Sequence, residues 1–588
     1  MIEVVPLKKL NSEISVPGSK YIANRILMIA SLAEGTSIIK NIPENEDIKA
    51  TIEALKKFGV EIKKDNNDLE INGTNGKLKL PKDDINVGNS GTLMRFIVGF
   101  SSLVKGKTKI TGSKRIQQRP IIDLLNSLND LGIKCSSVNK GFPPVKVEGG
   151  TLKGGTTKIK GDISSQFISS LLLTAPYAKN DVEIIIESDL VSKNYVDMTI
   201  DLMKEFGVSV ERNAYKKFKI KLGQKYVAKE FTIPGDWSSA NYFLAAAAIV
   251  PGRIKVKGLD MSAHGEAKFI DVLADMGCNI NKNNGSIEII GNKNLTAVDV
   301  DMSTMPDSVQ TLAAVAVFTK STTKIRNIGN LKYKESDRIL DTANELKKLG
   351  INAIAKEDRL EIKGGKINST IIDPHNDHRM AMSFALIGLK IPGIKIKNPE
   401  CVSKSFPEFW SKLKEIGAGI KMPKNIVLMG YRGSGKTSVA LNLKIKLSRN
   451  LINTDKEIEK IVGSINDYIK NNGWVKFRDI ESNIIENIND NNLIIDGGGG
   501  FVEREKNVEN LKKNSIIVWL KASPSVIKER IKNNKDRPSL TGTKSFIDEV
   551  DEVLEKRTPL YKKAADYEID TENKSVEKIS NEIIEKIG

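Results

Sequence analysis

The sequence has little cysteine and few aromatic side chains. Only three cysteines occur among its 588 residues, at positions 135, 278 and 401, and aromatic residues make up 5%. Cysteines this far apart form neither a disulfide framework nor a CxxC metal site. Their scarcity is typical of a reducing compartment, so we predict a cytoplasmic protein.

The sequence also lacks long apolar runs. The longest uninterrupted run covers residues 242–250, far short of the roughly 18 residues that cross a bilayer. The first residues, MIEVVPLKKL, lack the charged and apolar segments of a secretory signal. We therefore expect no membrane partner. Apolar residues still make up 40% of the chain, which is enough for several buried cores.

The charge balance is basic but diffuse. The 91 basic residues outnumber the 73 acidic ones and give a formal net charge of +18. Nucleic-acid binding usually needs a concentrated basic tail, a recognition helix or interleaved aromatics, whereas these lysines are spread evenly among acids. The pattern favours a solvated lysine-rich surface, with some attraction for anionic metabolites, over a nucleic-acid partner.

A repeat of about 70 residues organises the first 420 positions. An apolar helical pattern that ends in glycine and continues into an extended segment occurs six times, as in ALKKFGVEI and ELKKLGINA. Glycine suits this place because helices commonly end in a left-handed residue, which a side chain disfavours. The six glycines are Gly59, Gly132, Gly207, Gly277, Gly350 and Gly417.

Each copy also carries another helix, which is apolar on nearly all faces. Its starts, such as SKYIANRILMIASL, NSGTLMRFIVGF and DHRMAMSFALIGL, open with Ser, Asp, Asn or Gly. These residues commonly cap helix N-termini, and a β-rich run follows each helix, so each copy is roughly a βαβαββ unit. Helix N-termini carry free N–H groups and partial positive charge. Several such ends in one cleft would therefore bind anions.

After residue 420 a different α/β pattern begins with a phosphate-binding loop. Residues 430–437 read GYRGSGKT, which matches G-x-x-x-x-G-K-[ST] between an apolar strand and a helix. Glycines let backbone N–H groups wrap phosphates, the lysine reaches the terminal phosphates, and the threonine can ligate Mg²⁺. We therefore predict ATP as a substrate and Mg²⁺ as a cofactor. The predicted loop residues are Gly430, Arg432, Gly433, Ser434, Gly435, Lys436 and Thr437, with Thr437 on the metal.

Residues 424–588 resemble shikimate kinase through motifs that follow in order. They are the TD pair at 454–455, FRDIE at 477–481, the glycines of DGGGGFV, the RP pair at 537–538, and KRTPLY. The resemblance implies that Asp455 anchors the acceptor hydroxyls and acts in catalysis with Lys436. A guanidinium is the natural partner of the shikimate carboxylate. The implied shikimate-binding residues are Asp455, Arg478, Gly498, Gly499, Gly500 and Arg557, and the further ATP-binding residues are Arg530 and Arg537.

Residues 1–421 resemble 5-enolpyruvylshikimate-3-phosphate (EPSP) synthase. The shared motifs include PGSKYIANR, GNSGTLMR, SSQF, KYKESDR, NDHRMAMSFAL and SKSFPEFW. The resemblance implies two lobes of three βαβαββ units each, over about 17–232 and over 1–16 plus 233–421. It also implies transfer of enolpyruvyl from phosphoenolpyruvate to shikimate 3-phosphate, with release of phosphate. Both substrates are polyanions, which agrees with a cleft rich in Lys and Arg.

The same resemblance assigns the residues of the transferase site. Asp307 would take the proton of the attacking 5-hydroxyl, and Glu335 with Lys20 would protonate the methylene carbon. A carboxylate serves in this way only when its surroundings tune its pKa. The implied phosphoenolpyruvate-binding residues are Lys20, Gly91, Thr92, Arg119, Arg338, Arg379 and Lys404. The implied shikimate 3-phosphate-binding residues are Tyr21, Arg25, Ser164, Ser165, Gln166, Ser192, Tyr195, Asp307, Asn330 and Lys334.

Two positions depart from the family patterns, and two others read as structural. Tyr21 stands where the synthase family commonly has Ser, and Asn453 stands where the kinase family usually has an Asp near the metal. We expect Asp236 to cap a helix. We expect His378, at a helix start, to be a hydrogen-bonded structural residue rather than a base.

Together these patterns predict an α/β protein: a two-lobed, six-repeat βαβαββ transferase over 1–421, followed by a P-loop kinase with a parallel sheet over 424–588. The kinase product is the transferase substrate, so we predict a bifunctional enzyme of the shikimate pathway, which leads to chorismate and aromatic amino acids. Two alternatives stay open: one half is a catalytically inactive interaction module, or the chain is a basic P-loop protein that acts on nucleic acid. Intact motifs in both halves argue against the first, and the evenly spread lysines and few aromatics argue against the second.

Overall fold

The computed structural model describes the whole chain except residues 261–264, 293, 422–423, 448, 489, 533–543 and 588. The chain forms two compact units, Ile2–Lys421 and Met422–Gly588. A bilayer-spanning helix is not found in the described part of the chain.

The first unit contains 24 described strands. They are short, and in several of them, such as Val182–Ile186, buried side chains alternate with half-buried ones along the strand. In chain order, β1 to β24 are Ile2–Val5, Leu10–Ser15, Thr36–Lys40, Glu61–Asp65, Asp68–Asn72, Ile85–Asn86, Gly106–Thr111, Lys134–Asn139, Phe142–Gly149, Gly155–Ile159, Val182–Ile186, Glu211–Asn213, Lys217–Ile220, Glu230–Thr232, Gly252–Lys257, Asn279–Asn283, Ser286–Ile290, Asp299–Asp301, Thr322–Arg326, Asn352–Ala355, Leu360–Lys363, Ile371–Ile372, Ile394–Ile396 and Gly419–Lys421.

These strands form six four-stranded sheets that share one topology. Two strands run parallel, and a pair of antiparallel strands completes each sheet. The orders are β14-β3-β5-β4, β6-β7-β9-β8, β10-β11-β13-β12, β16-β17-β15-β2, β18-β19-β21-β20 and β22-β23-β1-β24. β1 and β2 thus pair with strands that come after residue 250, and β14 returns to pair with β3. Six βαβαββ units, predicted from the repeat, are confirmed.

Twelve described α-helices accompany these sheets, two to each copy. In each copy the second helix ends before a glycine, and all six repeat glycines have φ between 82° and 99°. This left-handed backbone explains why glycine recurs there. In chain order, α1 to α12 are Lys20–Leu32, Glu46–Lys57, Gly91–Ser101, Ile122–Asp130, Ser165–Thr174, Lys193–Glu205, Trp237–Ile249, Phe269–Asp275, Val309–Ala316, Arg338–Lys348, His378–Gly388 and Phe409–Glu415.

The first helix of each copy lies in the core. Every residue of α1, α7 and α11 is buried, as their uniformly apolar sequences predicted. α1, α3 and α5 pack together, and so do α7, α9 and α11. This arrangement buries the helix bodies, and their N-terminal ends carry the polar residues described below.

The second unit has one parallel sheet with helices on both faces. β25 to β29 are Asn425–Met429, Asn450–Asn453, Leu493–Asp496, Ser515–Lys521 and Tyr567–Asp570, in the order β26-β27-β25-β28-β29. All four pairings are parallel, as predicted. β25 is buried on both faces, and its residues alternate between two separate apolar cores. The helices, α13 to α19, are Lys436–Leu447, Thr454–Val462, Ile465–Glu486, Glu505–Lys512, Pro524–Ile531, Val550–Ala564 and Val576–Ile587.

Candidate active sites

Five helix N-termini of the first unit meet at one cavity. Lys20, Gly91, Ser165 and His378 are the first residues of α1, α3, α5 and α11, and Ser192 precedes α6. All five line the same cavity. The free N–H groups and partial positive charge of these ends attract anions. Four of the six repeated helix starts, those of α1, α3, α5 and α11, thus meet at this cavity, and the start of α6 adds a fifth end.

Most of the predicted transferase residues line this same cavity, although they come from every part of the first unit. They are Lys20, Tyr21, Gly91, Thr92, Arg119, Ser164, Ser165, Gln166, Ser192, Tyr195, Asp307, Asn330, Lys334, Glu335, Arg338 and Lys404.

One buried guanidinium connects the two candidate acid–base carboxylates. Nη1 of Arg338 donates to Oδ1 of Asp307 at 2.8 Å, and Nη2 donates to Oε2 of Glu335 at 2.9 Å. Its Nε donates to Oδ2 of Asp377, which caps α11, at 2.7 Å. Arg338 is 1% exposed, so these contacts hold its side chain in place. Both carboxylates are therefore positioned by one rigid group.

A second network joins lysines and carboxylates on the other side of Glu335. Nζ of Lys404 lies 2.8 Å from Oε1 of Glu335 and 3.4 Å from Oδ1 of Asp47. Nζ of Lys20 lies 3.1 Å from Oδ2 of Asp47, and Nη1 of Arg119 lies 3.7 Å from Oε1 of Glu335. Alternating charges of this kind keep buried ions paired.

These neighbours decide the protonation of the cavity residues. Burial alone raises the pKa of Glu335, but Lys404, Arg338 and Arg119 outweigh it and hold that pKa well below its usual value. Asp307 behaves in the same way: burial opposes ionisation, and Arg379, Lys334 and Arg338 hold its pKa well below the usual range. Burial lowers the pKa of Lys20, although Asp47 opposes this. Both carboxylates are thus ionised at neutral pH.

Arg25 and Arg379 are not among the residues that line the cavity. Arg25 is 1% exposed and donates to Oγ1 of Thr199 at 2.7 Å and to the backbone oxygens of Tyr21 and Tyr195. Burial lowers its pKa to about 10. Arg379, also 1% exposed, lies behind the wall, where its Nη2 is 3.4 Å from Oδ2 of Asp307. Both arginines hold wall residues in place.

The expectation that His378 is hydrogen-bonded is wrong. Among the described residues neither ring nitrogen has a hydrogen-bond partner, although the side chain is 1% exposed and lines the cavity. Burial, with Lys20, Lys404 and Arg379 nearby, lowers the pKa of His378 well below its usual value. The imidazole is therefore neutral and available to a bound molecule. By contrast, Asp236 caps α7 by accepting from the N–H of Ser239 at 2.9 Å, as predicted.

Sequence reasoning missed two carboxylates of this site. Asp47 lies in the first turn of α2. An acidic residue at such a position is usually explained by its favourable interaction with the partial positive charge of the helix N-terminus. Glu266 is fully buried and accepts from the N–H of Asp307 at 3.0 Å and from the hydroxyl of Ser308 at 2.5 Å. Burial and the nearby Asp307 raise the pKa of Glu266 to about 7. No local signal marks either residue.

In the second unit the phosphate-binding loop joins β25 to α13. Gly433 and Gly435 have φ of 83° and 91°, which explains the need for glycine there. Nζ of Lys436 donates to the backbone oxygens of Gly430 and Tyr431 at 2.9 Å and 3.2 Å. The lysine therefore lies along the loop that would hold the phosphates.

Oxygen and amide groups converge at the carboxyl ends of β26 and β27. Oδ2 of Asp496, the last residue of β27, accepts from Oγ1 of Thr437 and from Nδ2 of Asn453, each at 2.7 Å. Hydroxyl and carboxylate oxygens are the donors that Mg²⁺ prefers. The residues present therefore fit a magnesium ion. Asp496 was not predicted, because a carboxylate before a glycine run reads equally well as the end of a strand.

A separate cavity of the second unit collects the predicted shikimate-binding residues. Its lining includes Arg432, Lys436, Asp455, Arg478, Gly498, Gly499, Gly500 and Arg557. A Cβ on Gly500 would lie 1.8 Å from Nη2 of Arg478, so this glycine leaves room for the guanidinium. Trp474, Phe477 and Glu481 also line the cavity and had no predicted ligand role.

Glu503 contacts both arginines that the resemblance assigns to the substrate carboxylate. Its Oε1 lies 2.7 Å from Nε and 2.6 Å from Nη2 of Arg557, and its Oε2 lies 3.4 Å from Nε of Arg478. Arg478 also donates to Oε2 of Glu481 at 2.8 Å. The side chain of Glu503 is 41% exposed, so solvent screens part of its charge.

Arg530, predicted to bind ATP, lies beside the phosphate loop. It donates to the backbone oxygen of Gly433 at 3.4 Å and to that of Thr571 at 2.9 Å. The other predicted ATP-binding arginine, Arg537, lies outside the described residues.

Comparisons with known proteins agree with both halves. Residues 4–413 match the family model of EPSP synthase (3-phosphoshikimate 1-carboxyvinyltransferase), and residues 432–588 match that of shikimate kinase. The 3-phosphoshikimate 1-carboxyvinyltransferases of Shewanella pealeana and Marinomonas sp. are 42% and 41% identical to this chain, and each alignment covers 71% of it and 99% of the relative.

A solved structure is similar as well. The EPSP synthase of Acinetobacter baumannii superposes with a TM-score of 0.61 at 28% identity, over 71% of this chain and 99% of that one. The chain therefore belongs to the EPSP synthase family and carries a shikimate kinase domain after its synthase region.

Proposed function

We propose that the chain is a bifunctional enzyme that catalyses two consecutive reactions of the shikimate pathway. Residues 424–588 phosphorylate shikimate with ATP, and residues 1–421 transfer enolpyruvyl from phosphoenolpyruvate to the resulting shikimate 3-phosphate. The observation that carries the proposal is the cavity at which five helix N-termini meet five lysine and arginine side chains. Such a site suits two polyanions. We propose a cytoplasmic location and small-molecule substrates only.

In the kinase reaction the chain's contribution is positioning and charge neutralisation. Lys436 turns from the loop oxygens toward the transferred phosphoryl group and offsets the charge that develops on it. Asp455 orients the acceptor hydroxyl, and Arg478 and Arg557 bind the carboxylate in bidentate fashion. Thr437 and Asp496 would hold a magnesium ion, which would neutralise part of the charge on the phosphate oxygens.

In the transferase reaction the cations place both anions before any proton moves. Arg119, Arg338 and Lys404 neutralise phosphoenolpyruvate, while Ser164 and Ser165, at the start of α5, bind shikimate 3-phosphate beside the free N–H groups of that helix. We assign the two lobes, 17–232 and 1–16 plus 233–421, as the two walls of this site. The reacting carbons then lie between Asp307 and Glu335.

Proton transfer follows from the protonation states of the site. Ionised Asp307 accepts the proton of the 5-hydroxyl, whose oxygen bonds to the enolpyruvyl carbon as the methylene carbon takes up a proton. The bond from that carbon to the phosphate oxygen then breaks, and the new methyl group gives back a proton, which restores the double bond and releases phosphate. Lys20 is the donor best suited to the methylene carbon, because its pKa is lowered by burial while Glu335 is ionised. A bound polyanion cancels part of the field of Lys404 and Arg119. The pKa of Glu335 then rises toward a range in which it shares the proton.

A single reaction mixture tests the proposal. Shikimate, ATP, Mg²⁺ and phosphoenolpyruvate are incubated with the full chain, and products are identified by mass. We expect shikimate 3-phosphate first and its enolpyruvyl ether later. Omitting ATP should abolish both products, and adding shikimate 3-phosphate in its absence should restore only the second. Formation of neither product would refute the proposal, and formation of one would restrict it to one half.

A further inference from the structure

Tyr21 lies between a carboxylate and an arginine that are distant from it in the sequence. Its phenol donates a hydrogen bond to Oδ2 of Asp307 and accepts one from Nη2 of Arg379 at 2.5 Å. These partners are 286 and 358 positions away along the chain. The contact therefore exists only in the folded unit.

The length of the aromatic ring places the Tyr21 hydroxyl between Asp307 and Arg379, and contacts on the ring fix its position. Its centroid lies 5.1 Å from that of Tyr195, and Nζ of Lys20 lies 5.5 Å from it. Tyr21 is 7% exposed. Burial raises the pKa of Tyr21 well above its usual value, so the phenol remains a donor throughout the range in which enzymes are assayed. A serine here has no ring and would leave Oδ2 of Asp307 without this donor.

Asp307 keeps acceptor capacity for a substrate despite these contacts. Oδ1 accepts from Nη1 of Arg338 at 2.8 Å, and Oδ2 accepts from Tyr21, with Nη2 of Arg379 at 3.4 Å. An ionised carboxylate offers about four lone-pair positions. The known donors thus fix the direction of both oxygens and leave a position for one more hydroxyl group.

We propose that Tyr21 is a positioning residue for the proton-accepting Asp307 and not a ligand of the bound substrate. The proposal rests on the transferase function proposed above and revises only the part assigned to Tyr21. The phenol directs Oδ2 toward the cavity and stabilises the ionised carboxylate, because hydrogen bonds to charged acceptors are stronger than those to neutral ones.

The charged surroundings predict how the site responds to pH. Burial opposes ionisation of Asp307, and the cations around it, together with the hydrogen bond from Tyr21, lower its pKa. Removing the phenol hydroxyl removes one of these effects, so that pKa should rise. The titratable and charged groups around Asp307 are Arg338, Arg379, Lys334, Glu266, Tyr21, Tyr195 and Tyr242. Those around Tyr21 are Arg379, Asp307, Asp236, Glu266, Lys20, Tyr195 and Arg25.

The test compares Tyr21→Phe and Tyr21→Ser with the unchanged chain. Transferase rates are measured from pH 5 to 9, and binding of shikimate 3-phosphate is measured by calorimetry. We expect both variants to bind this substrate within about threefold of the original affinity, to lose about tenfold in kcat, and to move the acid limb of kcat/KM up by about one pH unit.

Tyr242→Phe is the matched control. Tyr242 is also buried and accepts from Nη1 of Arg379 at 2.9 Å, and that hydrogen bond does not involve Asp307. We expect the acid limb of kcat/KM for Tyr242→Phe to lie at the same pH as in the unchanged chain. A raised KM for shikimate 3-phosphate with an unmoved acid limb, loss of binding in both variants, or a Tyr21→Ser enzyme with the original pH profile would each overturn the proposal. Absence of transferase activity in the unchanged chain would instead refute the proposed function.

Discussion

The amide of Asn453 donates to the carboxylate of Asp496 across 2.7 Å, between the ends of two neighbouring strands. The same oxygen of Asp496 accepts from Thr437 at 2.7 Å, so one carboxylate holds both groups. Asn453 also caps α14, because its Oδ1 accepts from the N–H of Lys456 at 3.0 Å. An aspartate could keep this cap but would lose the donor to Asp496.

Asn453→Asp should therefore lower the Mg²⁺ concentration that half-saturates the kinase, by about threefold or more, because a second carboxylate would face the metal's water shell. Without Mg²⁺ the same variant should unfold at a lower temperature, since two carboxylates then repel each other. Kinase assays over a Mg²⁺ series and thermal unfolding with and without the ion measure both effects. Asn450→Asp, at the other end of β26, is the control. An unchanged or raised Mg²⁺ requirement would place Asn453 away from the metal.

Lys436→Ala and Asp307→Asn should separate the two activities. The first removes the cation that neutralises the transferring phosphoryl group, and the second removes the proton acceptor while retaining hydrogen bonds to Arg338. Each should reduce its own reaction by roughly a hundredfold or more and leave the other unchanged. Mixed together, the two variants should convert shikimate to the enolpyruvyl product. If each variant lost both activities, the sites would not be independent.

Gly91→Ala should weaken phosphoenolpyruvate binding. A Cβ at this position would lie 2.3 Å from Nη1 of Arg119 and 2.8 Å from Nη1 of Arg95, so both buried guanidiniums must move. We expect KM for phosphoenolpyruvate to rise by about tenfold, with a smaller change for shikimate 3-phosphate. Gly365→Ala, at an exposed position where a Cβ meets nothing within 4 Å, is the control. An equal rise in KM for phosphoenolpyruvate in both variants would contradict the explanation that a Cβ at Gly91 displaces the two guanidiniums.

Glu503→Gln should lower the KM of the kinase for shikimate. Its carboxylate neutralises Arg557 and Arg478, which we assign to the substrate carboxylate, so removing its charge should strengthen attraction for that anion by a few-fold. The measurement is the shikimate dependence of kinase rate at low and high salt, with the difference smaller at high salt. Glu505→Gln, which removes a nearby exposed partner of Lys563, is the control. A raised KM would mean that Glu503 chiefly holds Arg557 in place.

Glu266→Gln should stabilise the first unit above neutral pH. The pKa of Glu266 is about 7 in the folded chain, above its unfolded value, so the folded state binds the extra proton between these pH values. The stability that this carboxyl contributes at low pH is therefore lost as the pH rises through 7. Glutamine stays neutral. The free energy of unfolding of Glu266→Gln, measured by calorimetry, should exceed that of the unchanged chain by a margin that grows from pH 5 to pH 8 and reaches at most about 3 kcal/mol. A constant margin would show that Glu266 does not titrate.

Local chemistry alone determined the elements of both units. Glycines such as Gly59 and Gly350 follow helix ends because the left-handed backbone conformation is sterically unfavourable for a residue with a side chain and not for glycine. All six repeat glycines adopt this conformation. The loop GYRGSGKT was predicted together with its flanking strand and helix, since phosphate binding needs that local geometry. The repeat and its buried helices followed from periodicity, which is carried by neighbouring residues.

Only the tertiary structure decided which distant side chains contact the residues of the two candidate sites. Asp47 contacts Lys404 from 357 positions away, Tyr21 contacts Asp307, and Glu503 contacts Arg557. From the local sequence, Asp47 is indistinguishable from any acidic residue in the first turn of a helix, and His378 from any first residue of a capped helix. Their effects on charge and pKa arise from burial and from partners that the fold brings together, and these act over distances in space rather than along the sequence.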